Sequence, residues 1–72
     1  MNKLAILEGL LFVVGDDGIT IEEICNVMNI SEKEAQKLLK ELQAEYEKET
    51  RGIRISYLSN SFKLTSKKEH IE

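Results

Sequence analysis

The sequence predicts a small winged helix-turn-helix of the α+β class, three helices followed by a β-hairpin wing. Three observations carry that reading. Thr20 with Glu23 and Ser31 with Glu34 form two S/T-x-x-E capping boxes eleven residues apart. Two helix starts this close force a short helix, a tight turn and a longer helix. An apolar run over 4–14 precedes them, and two alternating segments around Ser59-Asn60-Ser61 follow, the pattern of a hairpin.

The first helix is expected over 2–14. At about 100° per residue, Ile6, Val13, Leu10, Val14, Leu7, Leu11 and Leu4 spread over roughly half the cylinder. Phe12 falls outside that arc, beyond Glu8. A surface helix needs an apolar stripe a little over about 100° wide, so this helix carries more apolar surface than its own small domain requires. Gly15-Asp16-Asp17-Gly18 then supplies a glycine stop and turn formers.

Ile19-Thr20-Ile21 is expected to pair briefly as a strand. The second helix follows over 21–28, with Ile21, Ile24, Cys25 and Met28 on one face. Asn29 ends it, because asparagine tolerates left-handed backbone. Hydrophobic staples flank the two boxes: Ile19 with Ile24, and Ile30 with Ala35. The third helix is expected over 32–48, with Ala35, Leu38, Leu39, Leu42 and Tyr46 as one narrow core stripe. Arg51-Gly52 breaks it. The hairpin strands are 53–58 and 62–65, and the alternation slips between Tyr57 and Leu58, which predicts a bulge there. The domain therefore spans 1–66. The stretch 67–72 reads as the start of a truncated linker or helix leading to a missing second domain.

With 72 residues, the chain makes one domain, and one of this size buries only about 60% of the surface its unfolded form exposes. Its 42% apolar and 32% charged content is that of a globular protein rather than a disordered tail. The longest apolar run is too short to span a bilayer, and no signal-peptide pattern opens the chain. The cytoplasm is the expected location. Cys25, the single cysteine, excludes an internal disulfide and reads as a small buried hydrophobe.

Charge decides what kind of partner the fold meets. The third helix carries Glu32, Glu34, Glu41, Glu45, Glu47 and Glu49 against Lys33, Lys37, Lys40 and Lys48. Residues 1–50 hold five lysines and eleven acids, and 51–72 hold five basic residues and two acids. A DNA reader needs a basic stripe, and the position of a recognition helix is instead repulsive to phosphate. Only the wing and tail, through Arg54, Lys63, Lys67 and Lys68, offer a weak phosphate contact. Enzymatic chemistry is not expected: the one histidine, His70, lies far from Cys25, and no phosphate-loop, dinucleotide, nucleophile-elbow or zinc motif occurs. No catalytic, cofactor or metal residue is assigned. Protein binding remains, through Leu4, Leu7, Leu11 and Phe12 of the first helix, with Glu8 at the rim. The alternative is a winged-helix DNA-binding transcriptional regulator.

These residues resemble a known family. The stretch from Leu4-Ala5-Ile6-Leu7-Glu8 through Gly9-Leu10-Leu11-Phe12 to Gly15 is similar to the opening helix of segregation and condensation protein B, with its IEALLF-x-x-G pattern. The likeness continues at Ile21-Glu22-Glu23-Ile24, Asn29-Ile30-Ser31, Leu38-Leu39-Lys40-Glu41-Leu42, Glu45-Tyr46, Arg51-Gly52-Ile53 and Phe62-Lys63-Leu64-Thr65. The resemblance implies a longer protein with two winged-helix domains, of which this chain is the first. It implies a homodimer formed through that domain. The implied partner is segregation and condensation protein A, a kleisin. Through it the complex reaches the structural-maintenance-of-chromosomes ATPase indirectly, on the nucleoid, in chromosome condensation and segregation. Membrane contact is not implied, and nucleic acid contact is weak or indirect.

Overall fold

The computed structural model describes residues 2–48 and 52–66. Asn2 starts the first helix, α1 (Lys3–Val14), its side-chain oxygen accepting from the amides of Leu4 at 2.9 Å and Ala5 at 3.4 Å. That satisfies donors that a helix start leaves open. Gly15 at φ 56° ends α1, its amide returning to the Leu11 carbonyl, and a 3₁₀ turn follows over Gly15–Asp17. Gly18 then takes φ 73° and ψ 177°, a region open essentially to glycine alone. It is also tightly packed: a Cβ there would lie 2.9 Å from the Ser61 Cβ.

The second helix, α2 (Ile21–Met28), begins in a complete capping box. Thr20 Oγ1 accepts from the Glu23 amide at 3.1 Å, and Glu23 Oε1 accepts from the Thr20 amide at 3.0 Å. Asn29 closes α2 in the left-handed conformation, φ 57°, as its side chain permits.

The third helix, α3 (Glu32–Tyr46), starts from half a box. Ser31 Oγ accepts from the Glu34 amide at 3.1 Å, but the Glu34 carboxylate binds Lys3 Nζ at 2.6 Å instead of the cap amide. The expected reciprocal bond is thus replaced by a link to the start of α1. The helix also ends at Tyr46 rather than at 48, and Glu47 caps it.

Strands β1 (Ile53–Leu58) and β2 (Ser61–Ser66) pair antiparallel without interruption from Ile53–Ser66 to Leu58–Ser61. The expected bulge at Tyr57 and Leu58 is absent. The loop is the two residues Ser59 and Asn60, both at positive φ, the type I′ geometry whose twist matches the strands. Sequence alternation fails there because both residues sit at the exposed tip, where no core selects one face. Ile19 adds a third, one-residue rung. It exchanges both backbone bonds with Phe62 at 2.9 and 2.8 Å, as the strand expectation for 19–21 required in its first residue. So β2 lies between Ile19 and β1, and its close approach is what Gly18 accommodates.

The core is Leu7, Leu11, Ile19, Ile24, Ala35, Leu38, Leu39, Leu42, Tyr46 and Ile55. All five stripe residues expected of α3 are in it. Both staples contribute, through Ile19 with Ile24 and through Ala35 with a half-buried Ile30. Cys25 is half-buried against this core and carries a free thiol. The assigned boundary at 66/67 and His70 lie at or beyond the end of the described residues.

Candidate interface on the first helix

Core packing decides which side of α1 is left over. Leu7 and Leu11 are wholly enclosed, and Leu4, Leu10 and Val14 pack beside them. The opposite side presents Ala5, Ile6, Gly9, Phe12 and Val13 to solvent. Phe12 is 59% exposed, Val13 84% and Ile6 37%. None of the five carries a polar side chain. Scattered exposed hydrophobes need no explanation, but a contiguous apolar face does.

The packing corrects the interface expected from the sequence. Phe12 is on the surface, as its angular position required. Leu7 and Leu11 are at 0% exposure and cannot touch a partner in this conformation; they are core residues that hold α1 in place. Leu4 is half-buried against the same core. Ile6 and Val13 belong by angle to the apolar arc that holds the core residues, yet they face outward. The sequence signal that separates them is Gly9. A position with no side chain marks the middle of the face the core does not use, and both residues lie within about 60° of it on the helical wheel.

Glu8 is held rather than free at a rim. Its carboxylate accepts a hydrogen bond from the Tyr46 hydroxyl, in a partly buried setting. Tyr46 is 1% exposed, so its ring fills the core while its oxygen finds an acceptor on α1. Buried tyrosines need such a partner.

The wing has two faces. Ile53, Ile55, Tyr57, Phe62 and Leu64 alternate toward the core side. Arg54, Ser56, Lys63 and Thr65 share the other. Ser56 Oγ and Thr65 Oγ1 lie 2.7 Å apart and stiffen that outer face diagonally. Arg54 and Lys63 are brought together there, Arg54 exposed and Lys63 half-buried. Lys67 and Lys68, the other two candidate phosphate contacts, lie outside the described residues. At the tip, the Tyr57 and Phe62 rings stack with centroids 4.6 Å apart, and Tyr57 Oη donates to Asn60 Oδ1 at 2.9 Å.

The exposed side of α3 shows Glu32, Lys33, Gln36, Lys37, Lys40 and Glu41. Lys33, Lys37 and Lys40, at i, i+4 and i+7, lie along one line of that side, with Glu32 and Glu41 on either side of it. Among the described residues no group of three or more His, Cys, Asp or Glu is placed to hold a metal ion. No helix among them is long and apolar enough to cross a membrane.

Comparison with known proteins agrees with this arrangement. The family model for Segregation and condensation complex subunit ScpB matches residues 5–72. Segregation and condensation protein B of Shouchella clausii is 49% identical over 71 residues, covering 99% of this chain and 37% of that protein. The protein of the same name from Geobacillus thermodenitrificans is 42% identical over 66 residues, covering 92% of this chain and 32% of that protein. The chain thus spans about a third of the length of these curated relatives. Among solved structures, one described as a dimer of the ScpB N-terminal domain complexed with a ScpA peptide superposes with a TM-score of 0.94. It is 41% identical, covering 97% of this chain and 83% of that one.

Proposed function

This chain belongs to the Segregation and condensation complex subunit ScpB family, and from that premise we propose that it is a non-enzymatic adaptor domain that self-associates through α1. One observation carries the reading: the outward side of α1 is apolar along its whole length, with Phe12 more than half exposed. Burying a side chain of that size contributes roughly 1.5–3 kcal/mol by transfer estimates, partly offset by the cost of association. A second copy removes that surface from water. The dimer described for the ScpB N-terminal domain supports this.

The ScpA peptide in the same solved structure supports a second role, that the dimer offers a docking surface to a kleisin. Through that kleisin it serves the structural-maintenance-of-chromosomes ATPase, at the nucleoid, in chromosome condensation and segregation. Glu8 and Leu4 border the apolar face, and Phe12 is its anchor. Direct reading of DNA by α3 is not favoured, because Glu32, Glu34, Glu41 and Glu45 outnumber Lys33, Lys37 and Lys40 along it. Arg54 and Lys63 provide at most a weak, salt-screened phosphate contact, to which Lys67 and Lys68 would add.

Sedimentation analysis tests the proposal. The native chain should sediment at dimer mass at micromolar concentration, and Phe12→Asp should bring it to monomer mass with its circular dichroism unchanged. A native chain that stays monomeric throughout removes the proposal.

A further inference from the structure

We infer that the groove between α3 and the wing, with the lysine line beside it, is a docking surface for an acidic amphipathic helix of another protein. It shares no residue with the outward side of α1, so it stands apart from self-association.

The groove supplies an apolar seat. Buried Leu39 and half-buried Phe62 face it, and Gln36, Lys40 and Gln43 line its α3 side. That lining holds one cation and no acid. The volume is about 210 Å³, below the roughly 300–1,000 Å³ of small-molecule sites. It suits one large apolar side chain, the kind that anchors a protein interface. The wing tip extends the same wall. The Tyr57 ring stacks on Phe62 at 4.6 Å, and Tyr57 and Leu58 are both more than half exposed.

Charge around α3 is sorted by side. Glu34, Glu41 and Glu45 share one line, at i, i+7 and i+11. That line is turned toward α1, where Glu34 pairs with Lys3 and Glu45 borders Asn2 and Leu4. Glu32 turns to α2 and lines a hollow with Ile21 and Cys25. Lys33, Lys37 and Lys40 run along the crest between the acidic line and the groove, all three exposed. Among the described residues none of these lysines is ion-paired.

Spacing selects the occupant. The lysine line covers about 10 Å, two helical turns at about 1.5 Å per residue. Carboxylates at i, i+4 and i+7 of a partner helix repeat that span, and an apolar side chain one row over reaches the groove. The charges then fix register and orientation, while the apolar anchor supplies affinity. Nucleic acid fits worse. A phosphate backbone needs a longer basic track, and Glu32 and Glu47 stand at the two ends of this one.

Fluorescence anisotropy with synthetic helical peptides tests the surface. The probe carries glutamates at i, i+4 and i+7 and leucines one row over. One twin has lysines for the glutamates, and a second has alanines for the leucines. The native chain is expected to bind the probe at least tenfold tighter than either twin. Lys37→Glu and Tyr57→Ala, both at exposed positions, are each expected to weaken it at least fivefold with unchanged melting temperature. No saturable binding of the probe, equal binding of the lysine twin, or an unchanged affinity in Lys37→Glu each overturns the proposal. A single-stranded oligonucleotide that binds tighter than the probe, and is lost in Lys37→Glu, overturns it in favour of nucleic acid. A lower sedimentation mass of Lys37→Glu than of the native chain overturns it in favour of a second copy.

Discussion

The Tyr46 hydroxyl donates to the Glu8 carboxylate, tying the last turn of α3 to the middle of α1. The two residues are 38 positions apart, and the bond crosses the core at its polar edge. Removing the hydroxyl leaves a partly buried carboxylate without that donor. Tyr46→Phe should therefore cost about 1.5–3 kcal/mol, the range for hydrogen bonds to charged groups. The urea midpoint of unfolding checks this, and the denaturant slope should not change.

The two sides of α1 should respond oppositely to truncation. Leu11→Ala removes a fully enclosed side chain and should cost about 2–5 kcal/mol. Phe12→Ala, on the exposed side, should change the stability of the monomer by no more than about 0.5 kcal/mol. Thermal melts at concentrations low enough to keep the chain monomeric separate the two. One kcal/mol corresponds to about 4–8 °C in a domain of this size.

Three glycines should behave in three ways. Gly18→Ala meets both a glycine-only backbone and a Cβ contact at 2.9 Å, and should cost at least about 2 kcal/mol. Gly15→Ala faces open space, but its φ 56° and ψ −135° lie outside the left-handed helical well, and it should cost about 1–3 kcal/mol from the backbone alone. Gly9→Ala, in open space within α1, should stabilise the dilute monomer by about 0.5–1 kcal/mol. Guanidinium titrations of the three variants give this order directly.

The two caps differ in their second bond, and salt reveals it. Glu23→Ala removes a local hydrogen bond to the Thr20 amide and should cost about 0.5–1.5 kcal/mol, a loss that salt reduces only in its helix-dipole part. Glu34→Ala removes an exposed ion pair with Lys3, worth about 1 kcal/mol or less. That loss should shrink in 1 M salt, where the screening length falls to about 3 Å. Melting curves at low and high salt make the comparison.

Duplex DNA should bind this chain weakly. Arg54, Lys63, Lys67 and Lys68 of the wing and tail together reach at most four phosphates, so log affinity should fall against log salt with a slope no steeper than about −4. Fluorescence anisotropy with Arg54→Ala and Lys63→Ala measures it. Micromolar affinity with a steep slope would restore the regulator reading.

Much of this molecule rests on local interactions and is therefore legible in the sequence. Thr20 and Ser31 mark helix starts because their side chains accept from backbone amides three residues on, and Asn29 marks a helix end because it tolerates left-handed backbone. The stripe from Ala35 to Tyr46 is set by the period of one helix. The hairpin and its partners Ile53 to Ser66 follow from alternation around a turn. Phe12 is separable from the core stripe by angle alone. The missing bulge shows where this logic weakens: at Tyr57 and Leu58 no buried face imposes a pattern on the chain.

What sequence determined by itself was the order of elements, their caps and the core stripe of α3. These depend on neighbours a few residues apart. Which half of an apolar helix faces inward depends on where α3 and β2 lie, and only the tertiary structure decided it. Packing drew Leu7 and Leu11 inside, turned Ile6 and Val13 outward beside Phe12, and gave Glu8 to Tyr46 and Glu34 to Lys3. A helix whose apolar residues spread this widely has little preferred orientation of its own, so long-range contacts chose the one it has and left the face around Gly9 exposed.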